Sequence, residues 1–139
     1  MQNGVVKIHS ASYPSQKGSR TRIIEEVVSK VQGNNFNLGL SKEELFLVID
    51  EALTNAMEHG NKWDPSKLVH VEMQRNTNHL EISIQDEGSG FNFKDAGNSN
   101  GVLKNLRPRG RGVFIIKQFC ETSWNQKGNK ITLRFPITH

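Results

Sequence analysis

Cysteine is nearly missing. Cys120 stands alone, which excludes an internal disulfide framework, and no metal-ligand spacing surrounds it, so it reads as a reduced, partly buried small residue near a helix end rather than a reactive thiol. Long apolar runs are also missing, as is an amino terminus in which a charged segment precedes an apolar one. No membrane span or leader is therefore read, and the cytoplasm is the expected compartment. The five histidines form no H-E-x-x-H or other zinc spacing, and no G-x-x-x-x-G-K-S/T phosphate loop occurs. Aromatic residues are sparse and do not interleave the basic ones, which argues against a base-stacking surface for nucleic acid. Lys plus Arg exceed Asp plus Glu by 18 − 14 = 4, a modest excess that reads mostly as solvated surface.

What is present fits one domain over residues 1–139, long enough to bury a core without staples. A short strand is expected over residues 5–10. Pro14 and Ser15 then open a helix whose apolar face is Ile23, Ile24, Val27, Val28 and Val31. After an Asn- and Gly-rich loop, Ser41 with Glu44 forms a capping box, and Leu45, Val48, Ile49, Ala52 and Ala56 make a helical stripe that Gly60 ends. Strands over 68–75 and 80–86 turn at Asn76 to Asn78; the second alternates Leu80, Ile82, Ile84 against Glu81, Ser83, Gln85. Residues 92–109 are polar and poorly patterned, too long for an ordinary connection, and read as a lid. A helix over 110–120 and strands over 122–126 and 130–136 close the chain. That order predicts an α+β, two-layer α/β sandwich: a mixed, mainly antiparallel sheet with helices on one face.

Three segments carry chemistry. In EALTNAMEHG, Glu51 to Gly60, a carboxylate and a carboxamide stand four apart, so Glu51 and Asn55 point at one spot beside the apolar stripe. In DEGSGF, Asp86 ends a strand, where its carboxylate can accept from an exocyclic amine. Gly88 and Gly90 let backbone approach a flat base, which favours adenine. In RGRG, Gly110 and Gly112 open a helix whose free amides suit phosphates, with Arg107, Arg109 and Arg111 as nearby positive charge and no one of them singled out. Each segment alone has a plain structural explanation, namely a polar helix border, a loop after a strand, and surface charge. A nucleotide explains all three: Asn55 offers its oxygen to Mg²⁺, and Glu51 takes a proton from an attacking hydroxyl or water. His59 extends the same face and is read as a helix-end structural residue.

Together EALTNAMEHG, DEGSGF and RGRGVFII resemble the asparagine box and two glycine boxes of the GHKL ATPase superfamily, in the right order and over most of the chain. The small size and the HGNKWDPSK continuation are similar to the anti-sigma-factor serine/threonine kinases of bacterial partner-switching systems. That resemblance implies a Bergerat fold that binds ATP·Mg²⁺, holds a sigma factor inactive and phosphorylates a serine or threonine of a small anti-anti-sigma antagonist of the STAS type. It puts Glu51 in the role of base and Asn55 in that of Mg²⁺ ligand. Asp86, Gly88 and Gly90 then fall at adenine, Gly110 and Gly112 at phosphates, and Thr132 at an auxiliary adenine contact. Homodimerisation through the sheet side is common in the family; direct contact with nucleic acid or membrane is not expected. A histidine-kinase domain shares the boxes but needs a phosphoacceptor-histidine hairpin, which is not expected ahead of residue 1. Gyrase-like and mismatch-repair ATPases need a following transducer domain. The alternative from another class is a nucleotide-gated regulatory binding module without kinase turnover.

Overall fold

Alternation of apolar and polar residues builds a sheet with one dry and one wet face. The computed structural model describes residues 4–89 and 108–138, and of residues 108–111 the backbone alone. Its strands are β1 (Val6–Pro14), β2 (Leu68–Arg75), β3 (His79–Gln85), β4 (Glu121–Trp124) and β5 (Lys130–Pro136), and its helices are α1 (Arg20–Gly33), α2 (Lys42–Thr54) and α3 (Pro108–Ile116). The strand order is β1-β2-β3-β5-β4, and every pairing is antiparallel. On the inner face Val71 pairs with Ile84 and Met73 with Ile82, while Leu80 pairs with Phe135, Ile82 with Leu133 and Ile84 with Ile131. These side chains share one core with Ile23, Val27, Val48, Ile49 and Leu53 of α1 and α2 and with Ile116 of α3. Burying each such residue contributes on the order of 1.5–3 kcal/mol. The result is an α+β two-layer sandwich.

Both halves of the expected capping box form: Glu44 N–H donates to Ser41 Oγ at 3.0 Å, and Ser41 N–H donates to Glu44 Oε1 at 2.9 Å. The start of the chain departs from expectation. The strand runs on to Pro14, because Tyr13 pairs with Val69 and Pro14 with Leu68, and the helix begins only at Arg20. Proline is tolerated there because β1 is an edge strand, where an amide donor is not required. Arg20 then ties α1 to α2, its Nη1 donating to Asp50 Oδ1 at 2.6 Å and to Thr54 Oγ1 at 2.8 Å. Cys120 follows α3 and is partly buried; burial pushes its thiol up to about 12, so almost no thiolate exists at neutral pH. Among the described residues no helix is long and apolar enough to cross a membrane. The expected lid, residues 92–109, lies almost wholly outside the described residues.

Candidate nucleotide site

Helix α2 does not simply stop at Gly60. Its α-helical hydrogen bonding ends at Thr54, and Asn55–Gly60 continues as a wider π-helical turn, closed by Asn61 N–H donating to Ala56 O at 2.9 Å. Such turns are rare and shift the phase of the residues that follow them. Glu51 keeps its place one turn before Asn55, while Gly60 is carried against the end of β3. A Cβ on Gly60 would stand 2.2 Å from both Cγ and Oδ2 of Asp86.

Asp86 is held from three directions and is 6% exposed. Its N–H donates to Asn129 O at 2.9 Å, and its carbonyl accepts from Asn129 Nδ2 at 3.0 Å. Its Oδ1 accepts the Gly88 N–H at 2.8 Å. A Cβ on Gly88 would lie 2.2 Å from the carbonyl oxygen of Gly60, so the missing side chain at Gly88 makes room for the π turn.

Asn61, fully buried, is the hub behind this seat. Its Nδ2 donates to Ser15 Oγ at 2.8 Å and to Leu68 O at 3.0 Å, and its Oδ1 accepts the Glu87 N–H at 2.8 Å. On the far side of the loop Glu87 accepts the Leu68 N–H at 2.9 Å and meets His70 Nε2 at 3.2 Å. The backbone donor of Leu68, then His70, hold the Glu87 carboxyl below its usual range.

The opposite wall comes from α3, whose second residue pair RG brings Gly112 onto α2. A Cβ there would stand 2.8 Å from Glu51 Oε1 and 3.3 Å from Asn55 Nδ2. Between these walls lies a narrow cleft, partly open to solvent. Asn55 and Asp86 line it together with the apolar Ala52, Ala56, Ile84, Val113 and Ile131. A largely apolar lining that includes one carboxylate, beside a helix that starts four residues before Gly112, suits a base and its phosphates. Among the described residues no three His, Cys, Asp or Glu side chains gather as a metal cage. The single carboxamide of Asn55 fits Mg²⁺, which takes most of its ligands from phosphate and water.

The structure thus puts Asn55 and Asp86 in the lining of one cleft, with Glu51 and Gly112 against Asn55 and Gly88 against Asp86. Gly90 lies outside the described residues. Arg109, Gly110 and Arg111 fall in the first turn of α3, the two arginine side chains outside the described set. Thr132 must be corrected. It sits on the outer sheet face, its hydroxyl 3.1 Å from that of Ser83, with the sheet between it and the cleft. The residue of this region that reaches Asp86 is Asn129. The signal was in the alternation: Ile131, Leu133 and Phe135 face inward, which puts Asn129 on their side and Thr132 on the other. Asn61 carries no local sequence signal of its role as a buried hub beyond its position directly after the glycine that abuts Asp86.

Comparison with known proteins agrees with this geometry. Residues 18–135 match the histidine kinase-like ATPase domain model. The chain is 30% identical over 112 residues to the sensor protein VraS of Staphylococcus epidermidis, covering 81% of this chain and 30% of that protein. Similarity to the sensor protein VraS of Staphylococcus aureus has the same extent. The chain therefore spans about 30% of the length of the curated relatives it matches.

Proposed function

Because this chain belongs to the histidine kinase-like ATPase family, within the GHKL superfamily, we propose that it is an ATP-dependent serine/threonine protein kinase. In this reading it binds a sigma factor and phosphorylates a STAS-type anti-anti-sigma antagonist. The observation that carries the kinase reading is that Glu51 and Asn55 meet together beneath Gly112 while Asn55 lines one cleft with Asp86. Adenine enters the apolar slot and donates its exocyclic amine to Asp86, while the amino terminus of α3 receives the phosphates. Asn55 would hold Mg²⁺ through its side-chain oxygen; when bound, the ion neutralises phosphate charge. Glu51 takes the proton of the acceptor hydroxyl as that oxygen bonds to the γ-phosphorus and the bond to the bridging oxygen of ADP breaks. Its work is positioning and charge, since little covalent chemistry falls to the protein in phosphoryl transfer. The partners follow from the HGNKWDPSK continuation and its resemblance to partner-switching kinases, and the intact Glu51/Asn55 pair supports turnover over a binding-only module.

The 30% identity to sensor proteins favours one second reading, a domain that phosphorylates histidine. Incubation with labelled ATP·Mg²⁺ and a purified STAS protein separates the readings. The expected product is an acid-stable phosphoester on the STAS serine or threonine. An acid-labile phosphoryl group would support the histidine reading, and an unlabelled acceptor despite ATP binding would support the binding module.

A further inference from the structure

We propose that Trp124 forms an aromatic wall of the base pocket and that its indole contacts the purine, a role that rests on the nucleotide reading above. In sheet register Ile84 pairs with Ile131, and Ile131 with Trp124, so the three side chains form a row across the inner face from the strand ending at Asp86 to the edge strand β4. All three line the same cleft as Asn55 and Asp86. Ala52 of α2 and Ala56 of the π turn, each with a single methyl group, line the same cleft. Small side chains on the helix side leave the sheet-side row as the bulkier lining, and Trp124 is its one aromatic member.

The indole is held in place from its own strand outward. It packs against the core, and the Lys117 ammonium sits 5.6 Å from the ring centroid. The turn that follows is organised by one side chain: Asn125 Oδ1 accepts the N–H groups of Gly128 at 2.9 Å, Asn129 at 3.0 Å and Lys130 at 3.2 Å. Asn125 Nδ2 also donates to Asn129 Oδ1 at 2.7 Å, and Asn129 in turn grips Asp86. A single tight hairpin thus fixes both the aromatic wall and the support of the carboxylate that reads the base edge. Stacking on a preplaced indole adds affinity without depending on the phosphates.

Two calorimetric titrations and one spectroscopic one test this. Trp124→Leu keeps apolar bulk and is expected to bind ATP and ADP about tenfold more weakly than wild type, by the same factor for each, because the lost contact is to the base. The chain has two tryptophans, Trp63 and Trp124. Trp63→Phe leaves the site unchanged and makes Trp124 the only indole, and its fluorescence should shift or quench saturably with ATP. Wild-type affinity in Trp124→Leu, or an indole signal that ignores saturating ATP in Trp63→Phe, overturns the proposal and leaves the nucleotide reading standing. Absence of ATP binding to the wild type overturns both. If Trp124→Leu fails to fold, the fluorescence of Trp63→Phe decides alone.

Discussion

Glu51→Ala is expected to lose phosphotransfer by about 10²–10⁴-fold, the usual contribution of a positioned acid/base group, while ATP binds nearly as it does to the wild type. The separation follows from geometry. Glu51 lies beside Asn55 and under Gly112 and is not among the residues that line the slot with Ile84, Ile131 and Asp86, so its removal subtracts little from base recognition. It also unbuttons little of the fold, because the core face of α2 is carried by Leu45, Val48, Ile49, Ala52 and Leu53. Single-turnover transfer to the STAS acceptor, paired with calorimetry, checks both halves; undiminished transfer removes Glu51 from the role of base. Gly112→Ala probes the same spot from the other side. Its new methyl would stand 2.8 Å from Glu51 Oε1 and 3.3 Å from Asn55 Nδ2, so both side chains must give at small cost in stability, and turnover falls together with the Mg²⁺-dependent part of ATP binding.

Gly60→Ala is expected to do the opposite and weaken nucleotide binding by roughly ten- to a hundredfold or more. Its conformation is not the reason, since the backbone there is not left-handed; space is. The added carbon would stand 2.2 Å from Asp86 Cγ, and Asp86 is short, buried and fixed by Asn129 and Gly88, so the carboxylate must leave its seat. Losing a charge-assisted hydrogen bond to the base amounts to about 1.5–3 kcal/mol, or roughly ten- to a hundredfold in affinity, before the strain of the π turn is counted. A fall in melting temperature should accompany the loss. Gly33→Ala is the control: nothing lies within 4 Å of the added methyl, at the end of α1, and binding should be unchanged. Equal ATP affinity in Gly60→Ala and wild type would show that Asp86 does not need its present position.

How far the sequence could be read depended on whether the information was periodic or spatial. Val69, Val71 and Met73, or Ile82 and Ile84, announce their face by alternation, and Ser41 with Glu44 announces a helix start by local hydrogen bonding, so sheet, helices and layer order were legible. Glu51 and Asn55 were legible for the same reason, four residues being close to one helical turn. The π turn was not, because its cause is tertiary: Gly60 has to reach Asp86 and Asn61 has to reach Ser15, Leu68 and Glu87, contacts 7 to 46 residues away in the chain. Trp124 looked like an ordinary strand residue until register put it beside Ile131 and Ile84. Thr132 was misplaced by carrying a position over from a resemblance when strict alternation on its own strand already assigned it outward. At Gly88 the need for a glycine comes from a tertiary contact that no local pattern shows: its open side faces the Gly60 carbonyl.

The most direct test of the nucleotide site is a calorimetric titration of ATP, with and without Mg²⁺, into the wild-type protein and Asp86→Asn. Asparagine keeps an oxygen that can accept the Gly88 N–H, so the loop is spared while the charge that attracts the adenine amine is gone. The structure predicts saturable binding that Mg²⁺ strengthens and that the substitution weakens about tenfold or more. Absence of ATP binding to the wild type, or unchanged affinity in Asp86→Asn, would contradict it.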